Sequence, residues 1–80
     1  MGNKRLDRLK ERPKNYTWDE LVALLNSLGY SLKKAKRGSG RKFIDDKKQK
    51  ISLHEPHPEN TLKAYVIEKV LTALEEHGKI

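Results

Sequence analysis

Two short stretches of this 80-residue chain carry side chains suited to chemistry. The first is His54-Glu55-Pro56-His57-Pro58. Histidine is the side chain whose ordinary titration falls near neutral pH. Two imidazoles three residues apart, beside a carboxylate on a proline-stiffened corner, can take up and return protons as general acid and base. The second stretch is Lys36-Arg37-Gly38-Ser39-Gly40-Arg41-Lys42-Phe43. Its glycines let a backbone approach a phosphate, Ser39 can donate a hydrogen bond, and Lys36, Arg37, Arg41 and Lys42 neutralise phosphate charge. Each stretch also has a plainer reading. A surface histidine is commonly just solvated, and Gly-Ser-Gly is a permissive hairpin turn. No further His, Cys or acid cluster completes a metal site around the histidine pair.

The elements that must position these residues can be read from periodicity. Thr17-Trp18-Asp19-Glu20 matches a capping box, in which the Thr hydroxyl and the Glu carboxylate each bond the other's backbone amide. Trp18, Leu21, Val22, Leu25 and Leu28 follow with helical spacing, and Gly29 suits the left-handed position past a helix end. A helix is therefore expected from Thr17 to about Leu28. Tyr30 and Leu32 alternate with Ser31 and Lys33, as in a half-buried strand. Residues 41–44 and 49–54 read as two further strands, joined by the polar run Asp45-Asp46-Lys47-Lys48. A last helix is expected to start between Asn60 and Lys63. It would bury Val66, Ile67, Val70, Leu71 and Leu74, with Tyr65 at the edge, and close at His77-Gly78. Short adjacent strands favour an antiparallel meander. The expected fold class is α+β, a two-layer sandwich of order α-β-β-β-α with both helices on one face of the sheet.

Residues 1–15 precede this unit as a basic N-terminal extension, and residues 16–80 form the domain proper. Six cations in the extension (Lys4, Arg5, Arg8, Lys10, Arg12, Lys14) face Asp7 and Glu11, so it holds +4 of the chain's +7 net charge. Leu6 and Leu9 give it one apolar stripe before Pro13, compatible with a frayed arm or with a docked helical turn.

Composition narrows the function classes. With no cysteine there is no disulfide framework and no thiolate metal site. No apolar run approaches the roughly 20 residues of a membrane span, and no signal-peptide core is present, so a small cytoplasmic domain is expected. A +7 charge is the footprint of a polyanionic partner. The five aromatic residues read mostly as core, and no exposed aromatic pair marks a base-stacking sheet. P-loop, dinucleotide-binding and zinc-protease spacings are all absent.

Over residues 16–80 the chain resembles the HicA toxins of bacterial toxin–antitoxin modules. The helix WDELVALLNSLGY resembles the family's opening helix, ending in Gly29-Tyr30. GSGRKF resembles the family's G-S-H-x-x-F, matching at Gly38, Ser39 and Phe43. ISLHEPHPENTL resembles the third strand and Pro-His corner, with His57 at that histidine. The closing helix and Gly78 resemble the family's C-terminal helix and terminal glycine. The resemblance implies a double-stranded-RNA-binding-domain-like fold. It also implies a metal-independent ribonuclease toxin that binds and cleaves mRNA, needs no cofactor, and is neutralised by a HicB-like antitoxin. The family's cleavage is ascribed to the histidine of G-S-H. Here that position is Gly40, and Arg41 follows where a second histidine is common. Glycine offers neither a base nor a charge, so either His57 or His54 does the proton work, or cleavage is slow and rests on positioning alone. The phosphate-handling set is then Lys36, Arg37, Gly38, Ser39, Gly40, Arg41 and Lys42. The alternative is a non-catalytic RNA-binding domain or an antitoxin-binding interaction module.

Overall fold

The computed structural model describes residues 3–34, 40–56 and 59–80. Helix α1 spans Lys4–Lys10 and α2 spans Trp18–Ser27. Strands β1 (Ser31–Lys34), β2 (Gly40–Ile44) and β3 (Lys50–His54) follow, and α3 (Ala64–Glu76) closes the fold. The sheet order is β1-β2-β3 with both pairings antiparallel. This is the expected α+β order, with a short helix in front.

The capping box at α2 is formed. Thr17 Oγ1 accepts the Glu20 amide at 3.2 Å, and Glu20 Oε1 accepts the Thr17 amide at 3.3 Å. Gly29, at φ +96°, lets the chain leave α2 and enter β1 in a conformation that side chains disfavour. Trp18, Leu21, Leu24 and Leu25 of α2 are buried, as are Val66, Ile67, Val70, Leu71 and Leu74 of α3. They pack with Phe43, Ile51 and Leu53, which alternate onto one face of the sheet. The Trp18 and Phe43 rings meet at 5.7 Å between centroids, locking the start of α2 to β2. Residues 16–18 and 60–62 also clasp each other. The Trp18 amide bonds the Asn60 carbonyl and the Leu62 amide bonds the Tyr16 carbonyl, both at 2.8 Å. That clasp sets where α3 begins.

The basic extension docks rather than fraying. Asn3 caps α1 by accepting the Arg5 and Leu6 amides, and Leu6 and Leu9 enter the core, Leu9 with no exposed surface. Tyr16, also fully buried, donates its hydroxyl to the Arg5 carbonyl at 3.1 Å. Arg8 lies 5.0 Å above the Tyr16 ring and pairs with Glu20, while Arg12 pairs with Glu68 of α3. Two leucines suffice because these polar contacts fix the helix that presents them.

Asp45 departs from the sequence expectation. It reads as one residue of a polar connection, yet it is 5 % exposed. The carboxylate accepts the Lys47 amide at 3.0 Å, the Gln49 amide at 2.7 Å and the Gln49 side-chain amide at 2.8 Å. Lys79 completes the set at 3.3 Å and lies 5.2 Å over the Tyr30 ring. The Tyr30 hydroxyl in turn meets His77 Nδ1 at 2.6 Å. His77 therefore ties the end of α3 to the residue before β1.

Candidate functional site

The register of β2 against β3 decides which residues can act together. Phe43 pairs with Ile51 and Arg41 with Leu53 on the face covered by helices. One residue over, Gly40 pairs with His54, Lys42 with Ser52 and Ile44 with Lys50 on the opposite face. Lys33 of β1 pairs with Lys42 from the other side. Side chains directly opposite on one face of an antiparallel pair lie about 4.5–5.5 Å apart at Cβ. The His54 imidazole therefore stands beside the space that a side chain at position 40 would fill.

The open face is cationic. Ser31, Lys33, Lys42, Lys50, Ser52 and His54 are exposed there, with Gly40 and Ile44 half-buried. Among the described residues no acidic side chain shares it. Lys33 directly opposite Lys42 is a like-charge pair, which costs folding free energy unless an anion lies across it.

Arg41 is set apart from this face. The pleat turns it to the covered side with Leu53, where its side chain is 16 % exposed. Its guanidinium donates to Glu55 Oε1 at 3.1 Å and to the Gly40 carbonyl at 2.9 Å. Arg41 thereby binds the start of β2 to the residue that follows β3, holding Gly40 and His54 in register.

Two hollows meet at His54. One, of about 240 Å³, is lined by Gly40, Arg41, Lys42, Ser52, Leu53 and His54 together with Lys69 of α3. The larger, of about 380 Å³, lies between the end of β3 and the start of α3. Its lining includes His54, Glu55, Glu59, Leu62, Tyr65 and Val66.

Of the sequence-derived site residues, the structure brings Gly40, Lys42 and His54 together on one face and Arg41 behind them. Lys36, Arg37, Gly38, Ser39 and His57 lie outside the described residues. Sequence reasoning missed Lys33, Lys50, the Arg41–Glu55 pair and the hollow beside Tyr65. The first two were legible in principle, since strand alternation puts them on the face of Lys42. Among the described residues no group of three or more His, Cys, Asp or Glu side chains could hold a metal ion. Among the same residues no helix is long and apolar enough to cross a membrane.

A family model described as the HicA toxin of bacterial toxin–antitoxin systems matches residues 18–78, from the first residue of α2 to the glycine after α3. Comparison with curated proteins and with solved structures gives no match.

Proposed function

The chain belongs to the HicA toxin family, the toxin side of bacterial toxin–antitoxin modules, and on that premise we propose that it binds and cleaves mRNA, with His54 performing the proton transfer that Gly40 cannot. The observation that carries this reading is the direct cross-strand pairing of Gly40 with His54. A histidine displaced from one strand to its neighbour, on the same face, reaches the same substrate atoms.

The chemistry needs a base, a charge clamp and no oxidant. His54 takes the proton of a ribose 2′-hydroxyl. The 2′-oxygen then attacks the adjacent phosphorus, and the bond from phosphorus to the 5′-oxygen breaks. The 5′-oxygen leaves with the proton carried by the imidazolium, and the fragment that holds the attacking ribose keeps a 2′,3′-cyclic phosphate. Lys42 and Lys33 face the charge that builds on the phosphoryl oxygens. Lys36, Arg37 and Ser39 are assigned to the flanking phosphates by their charge and hydrogen-bonding groups, and His57 to a supporting proton-transfer role. Arg41 acts by positioning, through its bonds to Glu55 and the Gly40 carbonyl. A HicB-like antitoxin is the proposed neutralising partner, and the cytoplasm, where mRNA is met, the proposed location.

The test is cleavage of RNA by the purified chain in excess chelator, with product ends analysed. Cyclic phosphate ends are expected, together with a loss of about 10²–10⁴-fold in rate in His54→Ala. A second reading rests on Gly40 itself: an RNA-binding toxin that does not cut. RNA left intact but bound in a salt-sensitive manner would establish that reading and overturn the first. Absence of both binding and cutting would overturn both.

A further inference from the structure

We infer that the hollow between the end of β3 and the start of α3 holds one unstacked nucleobase of the bound RNA strand, with the base stacked on Tyr65. This rests on the RNA-binding reading above and adds a recognition subsite to it. Tyr65 is 67 % exposed and, with Ile80, is one of two large apolar side chains so exposed among the described residues. It stands at the rim of a hollow of about 380 Å³, within the roughly 300–1,000 Å³ range of small-molecule sites. Leu62 and Val66 give the hollow an apolar floor. Sequence-specific RNA recognition works on single strands whose splayed bases stack on aromatic rings.

The charges around the hollow select the base rather than the phosphate. Glu55, Glu59 and Lys63 line it and Glu55 is paired with Arg41, so the lining gathers no excess of cations to hold a phosphate. The adjoining open sheet face carries lysines and, among the described residues, no acid, so the backbone is drawn there. His54 lines the hollow and also pairs with Gly40, so it stands where base and backbone part. A base seated against Tyr65 therefore brings its own ribose and phosphate to the imidazole. Carboxylates accept hydrogen bonds from exocyclic amino groups, as on cytosine N4. The hollow should prefer cytosine or adenine to uracil.

The test uses the full chain and short RNAs blocked by 2′-deoxy substitution at the reacting ribose, so that binding is read without cleavage. Oligocytidine, oligoadenosine and oligouridine are titrated by fluorescence anisotropy. A probe carrying 2-aminopurine reports stacking by quenching. Tyr65→Ala should weaken oligocytidine binding roughly 5- to 100-fold and abolish the quenching, with the salt dependence unchanged. Tyr65→Phe should retain both. Glu59→Gln should narrow the gap between oligocytidine and oligouridine. Because Tyr65 is exposed, Tyr65→Ala should fold normally, checked by its melting curve. Wild-type binding that is unaltered in Tyr65→Ala would overturn the subsite and leave the RNA reading standing. Loss of antitoxin capture without loss of RNA affinity would also overturn it, reassigning the hollow to the protein partner. Failure of the wild-type chain to bind any of the RNAs would bring down both.

Discussion

The two ends of the β2–β3 hairpin use charge in opposite ways. At the Asp45 end a carboxylate is withdrawn from solvent and meets two backbone amides, the Gln49 side chain and Lys79. Lys79 in turn lies over the Tyr30 ring, and Tyr30 bonds His77. At the other end, about 17 Å along the strand by its rise per residue, Gly40 pairs with an exposed His54, and lysines face each other across the sheet. The first end spends its polar groups on one another and so fixes structure. The second keeps its cations on a face that carries no acid among the described residues, and tolerates like-charge neighbours that folding alone would not favour. Polar groups satisfied within the chain mark the scaffold. Cations gathered beside a proton acceptor mark the place for a ligand.

The largest effect expected at the open end is on chemistry. Lys42→Glu puts an anion beside His54, and cleavage should fall by more than tenfold while the melting temperature holds or rises, since the Lys33–Lys42 repulsion is removed. Initial cleavage rates and a thermal melt check both halves. A drop in stability would break the contrast between the two ends.

Leu9→Ala comes next and tests whether function is confined to the open end. Leu9 is fully buried on a helix that precedes the family match. Truncating it should cost about 2–5 kcal/mol in denaturant unfolding. RNA affinity of the folded fraction should stay the same.

The Asp45 end should show itself in acid. Burial raises the proton affinity of this carboxyl, but the Gln49 bonds and Lys79 outweigh it and hold the pKa at about 2, below its ordinary 3.8. The Asp45 side chain has no exposed area. The unfolded chain takes up the proton first as pH falls. The stabilisation is thus full above about pH 4 and is lost as pH falls through about 2. Melting curves from pH 5 to 2 should fall less steeply in Asp45→Asn, from a lower start at neutral pH.

The smallest effect belongs to Tyr30. Burial, and secondly the Asp45 charge, push its hydroxyl up to about 12. The neutral phenol is thereby favoured in the fold. Its contribution is full below the ordinary value of 10 and is lost as pH rises through about 12. Tyr30→Phe removes the bond to His77 and should cost about 1 kcal/mol at neutral pH. Denaturant melts at pH 7 and pH 11 should lie closer together than in the wild-type chain.

The fold was largely legible in the sequence because its elements agree with their local signals. The capping box at Thr17, the stripe through Leu74 and the glycines at 29 and 78 each have one economical reading. The site was less legible because it depends on register. Pairing Phe43 with Ile51 on the covered face automatically sets Gly40 against His54, but strand residues alone leave that pairing open to a slip. The burial of Asp45 was hidden for a related reason. Its partners Lys47 and Gln49 belong to the same connection, but Lys79 comes from beyond the last helix, and no local pattern announces that contact. The docking of residues 3–11 depended in the same way on Tyr16 and Glu20, which lie outside the stretch.

In the proposed mechanism His54 supplies across the hairpin what Gly40 lacks. The most direct measurement is the cleavage rate of His54→Ala with and without Gly40→His. If the two positions serve one space, His54→Ala alone is inactive and the added histidine at 40 restores cleavage to within about tenfold of wild type. If His54→Ala cuts RNA at the wild-type rate, or if the double variant stays as inactive as the single one while still folded and binding RNA, the account is wrong.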